Sequence, residues 1–134
     1  VTVLGEEYGR RVLALLNAER AKEGLIELTM ENEQLMDAAV LRAKELPVKF
    51  DHTRPNGESC FTALEEMGVQ YMSCGENIAW GQKTPEEVFN GWWKSTGHHK
   101  NMMNPYFSQI GSAKKGNRLY WVQMFIGTGE ETYE

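Results

Sequence analysis

The stretch that leaves this chain the fewest options is its last apolar run. Leu119, Trp121 and Phe125 alternate with Tyr120, Val122, Met124 and Ile126, so a strand over residues 118–126 is apolar on both faces. Such a strand is central in its sheet or covered on both sides. Residues 107–115 precede it across Gly116-Asn117, a two-residue connection of the Gly-first kind that a type II′ turn uses, and this predicts a closing β-hairpin. The earlier part of the chain must supply the covers.

It reads as helices. From residue 6 to 22, Tyr8, Val12, Leu15 and Leu16 recur at helical spacing, with Gly24 placed to end the helix. Asn17, Glu19 and Arg20 fall on its polar side, where solvent exposure is expected ahead of a buried hydrogen-bonding role for Asn17 or Arg20. Thr29 is placed to cap a second helix through Leu35, Ala38, Ala39, Ala43 and Leu46 that Pro47 stops. Its alanines suggest close packing. Thr84-Pro85-Glu86-Glu87 is a strong helix start, with Thr84 as N-cap and Pro85 in the first turn. That helix carries Phe89, Trp92 and Trp93, side chains expected in the core, and breaks near residues 95–97 before a further short turn holding Met102 and Met103. Helices followed by a small antiparallel sheet, apolar on both faces, give an α+β fold: a three-layer α-β-α sandwich in one domain, residues 1–134.

Two loop regions and one bracketed run concentrate polar chemistry. Pro55-Asn56-Gly57 has turn chemistry and holds His52 in a defined loop. Ser59 can cap a short helix through Phe61 and Leu64 closed by Gly68, and residues 69–73 read as an extended segment. Glu76 and Asn77 lie between Gly75 and Gly81, as partly buried groups or as exposed turn residues. His98 and His99 complete the three histidines of the sequence.

The formal charge of -5 argues against nucleic acid as a partner, because phosphate neutralisation needs a Lys/Arg surplus. No run approaches the roughly 20 apolar residues of a membrane-spanning helix. A chain opening on Val1 is consistent with a processed or trimmed piece of something longer. Cys60 and Cys74 permit one bridge, which would add about 3 kcal/mol in an oxidising compartment, or two buried reduced thiols.

Several of these segments occur together in one known family. Asn17-Ala18-Glu19-Arg20 with Gly24-Leu25, the loop of residues 50–57, the Gly75-Glu76-Asn77-Ile78-Ala79-Trp80-Gly81 run, residues 92–105 with Gly97-His98, Phe107 with Ile110-Gly111, and Tyr120-Trp121-Val122-Gln123 follow one another as in the CAP superfamily. The chain resembles a bacterial-type SCP domain of this cysteine-rich secretory, antigen 5 and pathogenesis-related 1 group. The resemblance implies an α-β-α sandwich, usually secreted or at the cell surface, with a cleft lined by two histidines and two acids. His52 matches the first histidine, Glu76 the acid of the Gly-Glu-Asn motif and His98 the second histidine. The fourth member is missing: where the family's eukaryotic branches place an acid, this chain has Lys94-Ser95.

Two imidazoles and a carboxylate are also the ligand set of an open zinc site, so His52 and His98 are candidate ligands for zinc or another divalent metal. Ser95, His98 and Glu76 would form an acyl-transfer set, but no nucleophile elbow or oxyanion hole accompanies them. The resulting expectation is a secreted or cell-surface module, part of a larger surface protein, whose His/Glu cleft binds a small-molecule, lipid or protein ligand without catalysis. The alternative is a zinc-dependent hydrolase using His52, His98 and Glu76.

Overall fold

The doubly apolar strand lies at the centre of the sheet. In the computed structural model, which describes residues 3–115 and 119–129, the elements are α1 (Val3–Lys22), α2 (Glu33–Glu45), α3 (Thr62–Glu66), β1 (Ser73–Trp80), α4 (Pro85–Lys94), α5 (Thr96–Met102), β2 (Gln109–Lys115) and β3 (Tyr120–Gly127). The sheet order is β1-β3-β2, with both pairings antiparallel and every residue of β3 buried. Tyr120, Val122, Met124 and Ile126 pack with the alanine face of α2 and with α3. Trp121 and Phe125 pack on the opposite side with residues of α1, α4 and α5. This is the expected three-layer sandwich. The Gly116-Asn117 turn lies outside the described residues.

Contact between α2 and the sheet is close enough to require glycine. A Cβ on Gly111 would lie 2.5 Å from the Leu35 carbonyl oxygen, well inside contact distance. Ala38, Ala39 and Ala43 are almost completely buried on the same helix face, as their small size predicts.

Several local expectations are corrected. The N-cap of α2 is Asn32, whose side chain accepts from the Leu35 amide, because Thr29 is engaged elsewhere: it forms a parallel bridge with Gln109 beside β2. The extended segment expected at residues 69–73 is a strand only from Ser73, where β1 begins and runs through Glu76 to Trp80, in register from Ser73–Gly127 to Trp80–Tyr120. Glu76 and Asn77 are therefore buried strand residues rather than turn residues.

Two residues on the polar side of α1, Arg20 and Asn17, are turned into the structure, while Arg10, Arg11 and Lys22 stay exposed. Arg20 is fully buried and donates to the carbonyl oxygens of Ile26, Met102, Asn104 and Phe107 at 2.8–3.1 Å. Asn17 exchanges hydrogen bonds with the backbone of Leu28. Arg20 thus ties α1 to the segment that leaves α5, and Asn17 ties it to the connection before α2. The outer edge of β1 is covered in turn: Trp92 Nε1 donates to the Ile78 carbonyl and Asn101 Nδ2 to that of Glu76. Side-chain donors thus occupy carbonyls that an open edge would offer to another strand.

Candidate functional site

The His52 loop is a small closed hairpin. Gly57 takes a φ of 88°, its amide donates to the Arg54 carbonyl, Thr53 bridges Ser59, and the Cys60 amide donates to the His52 carbonyl. The expected Pro55-Asn56-Gly57 turn is present. Arg54, almost fully buried, then fastens the loop to the helices behind it: its guanidinium donates to both Glu45 oxygens, to Thr62 Oγ1 and to Glu66.

Arg42 continues this chain of charges. Fully buried on α2, it donates to Glu45 Oε1 at 2.8 Å, to the Asp51 carbonyl at 2.6 Å, and to Glu76 through Nε at 2.7 Å and Nη2 at 3.3 Å. His52 is a second donor to Glu76, its Nδ1 2.8 Å from Oε1. A carboxylate accepts, so the proton sits on Nδ1 and the neutral ring presents Nε2 as a lone pair. The relay runs Arg54, Glu45, Arg42, Glu76, His52, alternating in sign and ending on a half-exposed imidazole.

Sequence reasoning found Glu76 and His52 but missed Arg42 and Glu45. One signal was available: Arg42 lies four residues after Ala38 and three after Ala39, so it interrupts an otherwise small and apolar helix face.

His98 is held differently. It sits on α5 across the edge of β1, its Nδ1 2.8 Å from Ser95 Oγ. Its carbonyl accepts from Asn77 Nδ2, which also bonds Gln123 Oε1, while Asn101 Nδ2 reaches Asn77 Oδ1 and the Glu76 carbonyl. Ser95, at the position of the missing acid, gives this histidine a neutral hydroxyl as partner. The acyl-transfer set does not assemble, since Glu76 serves Arg42 and His52 rather than His98.

The two imidazoles are pushed in opposite directions. The hydrogen bond that His52 donates to Glu76 raises it above the ordinary value, with burial offsetting part of the effect. Burial lowers His98, and the neighbouring charge of His52 lowers it further. Burial disfavours ionised Glu45, but hydrogen bonds from Arg54 and Arg42 outweigh it and hold the carboxyl below its usual range.

A cavity of about 410 Å³ opens here, lined by His52, Glu76, Asn101, Gly75, Cys60 and Cys74 among others. His98 and Ser95 are not among its lining residues. Both cysteines carry free thiols. His52, Cys60 and Glu76 place one potential ligand atom each within 4.8 Å of one another, so Cys60 stands where the sequence pointed to His98. These donors do not fit zinc as they stand. Glu76 already accepts from a guanidinium and an imidazole, and burial pushes the Cys60 thiol up to about 12, so a dication would have to displace Arg42 and a proton. His99 belongs to neither arm: it packs on Trp93, ring centroids 4.0 Å apart.

Residues 13–125 match the family model for CAP, the cysteine-rich secretory protein family. The uncharacterized protein YkwD of Bacillus subtilis (strain 168) is 43% identical over 122 residues, which are 90% of this chain and 47% of YkwD, so the chain spans about half the length of that relative. Among solved structures, an extracellular protein containing a SCP domain from Bacillus anthracis superposes with a TM-score of 0.84 at 25% identity, covering 92% of this chain and 41% of that one. An outer surface protein of Borrelia burgdorferi gives 0.80 at 20% identity, with 91% of this chain and 93% of that one covered, a likeness of fold alone. With the family match spanning most of the chain, and a relative at 43% identity beside it, this chain belongs to the CAP, or cysteine-rich secretory protein, family.

Proposed function

We propose that this domain is a non-catalytic extracellular binding module that holds its ligand at the His52–Glu76 cleft. One observation carries the reading: both oxygens of Glu76 are engaged, by Arg42 and by His52, so the cleft's carboxylate is committed to holding His52 in place. A hydrolase would need that group free as a base or a metal ligand. What the cleft offers instead is an exposed imidazole edge, the Asn101 side-chain oxygen and a concave wall, features that orient a small polar group. Placement outside the cell is supported by the similar solved structure from Bacillus anthracis, an extracellular protein containing a SCP domain. Among the described residues no helix is long and apolar enough to cross a membrane.

The test is a fragment screen followed by amide chemical shifts, beside peptidase and esterase assays with and without zinc. Binders that shift Thr53, Gly75 and Asn101 and are lost in His52→Ala, with no turnover, are expected. The zinc-hydrolase alternative has one observation in its favour, since Glu76 orients His52 as an outer carboxylate orients a metal-bound histidine. Zinc-dependent turnover abolished by both His52→Ala and His98→Ala would establish that alternative and overturn the binding module.

A further inference from the structure

A second cavity, of about 500 Å³, lies where the end of α1 meets α4 and α5, and it shares no lining residue with the His52 cleft. Its lining divides by chemistry. Glu19 and Glu23 form one wall, and Leu25, Trp93, His99 and Met103 form the rest. No lysine or arginine is among them.

The acidic wall is electrostatically unbalanced. Glu19 lies in the last turn of α1 and Glu23 just past its end, four positions apart, a spacing at which like charges come close and repel. They stand at the C-terminal end of α1, where the helix dipole adds further negative potential. Lys22 reaches Glu19 at 3.2 Å but is itself two-thirds exposed, and no ion pair is found for Glu23 among the described residues. The rest of the lining is largely apolar. Trp93 stacks on buried Phe89 at 5.5 Å, and His99 packs against Trp93 while its Nδ1–H donates to the Trp93 carbonyl at 2.9 Å. That bond leaves Nε2 of the neutral ring as an acceptor. The site therefore combines two carboxylates and an imidazole acceptor with an indole, a thioether and a leucine, in a volume suited to a small molecule.

We propose that this cavity binds an alkylammonium cation, its charge set against Glu19 and Glu23 and its methyl or methylene groups against Trp93, Met103 and Leu25. A bare metal ion would leave the apolar wall unused. An anion would face two carboxylates. Only a cation with a hydrocarbon coat satisfies both walls.

Choline provides the probe, and its neutral isostere 3,3-dimethyl-1-butanol provides the control for charge. Titration of the isotope-labelled domain with choline should saturably shift the Trp93 indole, the His99 ring and the Leu25 amide, leaving Gly75 and Asn101 unmoved. The neutral isostere should bind at least about tenfold more weakly, as should choline to the Glu19→Gln/Glu23→Gln variant, which alters only accessible side chains. Phosphatidylcholine vesicles run in parallel distinguish the source: binding them through the same carboxylates marks a lipid headgroup, and binding choline alone marks a free cation. The proposal is overturned if choline produces no saturable shift, if the neutral isostere binds equally well, or if the double variant binds as the parent does.

Discussion

Two histidines flank the edge of β1, and the protein holds them by opposite means. On the α2 side His52 ends a relay of charges, Arg54, Glu45, Arg42 and Glu76, almost all of it out of water. On the α5 side His98 is held by Ser95 through its ring and by Asn77 through its carbonyl, every partner neutral. The first arrangement favours the imidazolium and the second the neutral ring. A shared residue type is thus biased towards opposite protonation states, and the difference lies in the partners rather than in the histidines.

The charged arm carries the greater energetic risk. Arg42→Met should remove the cation that faces both Glu76 and Glu45 and leave the buried Glu76 carboxylate with the half-exposed His52 as its remaining charged partner, at a cost of about 3–5 kcal/mol read from denaturant unfolding. Asn77→Ala, in the neutral arm, leaves amide and carbonyl partners unsatisfied but strands no charge, and should cost about 1–3 kcal/mol. If the neutral arm cost as much as the charged one, the distinction drawn here would fail.

The pH dependence sharpens the contrast. His52 is raised in the folded state, so its contribution to stability is fully present below the unfolded value of about 6.5 and is lost as pH rises through the folded value. His98 is lowered, so its contribution has the opposite slope: stability falls as pH drops through about 6.5 towards the folded value, because the unfolded ring takes up a proton more readily. Removing His52 should therefore make acidification more damaging, and removing His98 less so, as followed by thermal unfolding across this range. The smallest change is Ser95→Ala, expected to cost no more than about 1 kcal/mol, whereas Ser95→Asp should raise His98 towards His52 in a ring-proton titration and erase much of the asymmetry.

Much of this architecture was readable beforehand, for physical reasons that differ from element to element. The double apolar alternation of β3 signals a strand covered on both sides, and Thr84 caps α4 as its position predicts, accepting from the Glu87 amide. His52 and Glu76 were found through motifs whose turn and strand residues are local. Arg20 and Arg42 were not. A charged residue on an amphipathic helix reads as solvent-facing unless its acceptors are visible, and those of Arg20 include carbonyls more than 80 residues away. The register of β1 was hidden for the same reason: it is set by β3, which follows it by some forty residues. Nor does a sequence show which of two histidines a carboxylate will choose.

That choice is the central claim, and histidine ring-proton titration by NMR tests it most directly. The account predicts that His52 titrates above the ordinary histidine value and His98 below it, and that Glu76→Gln lowers His52 while leaving His98 below that value. Titration of both rings together, or of His98 above His52, would contradict it.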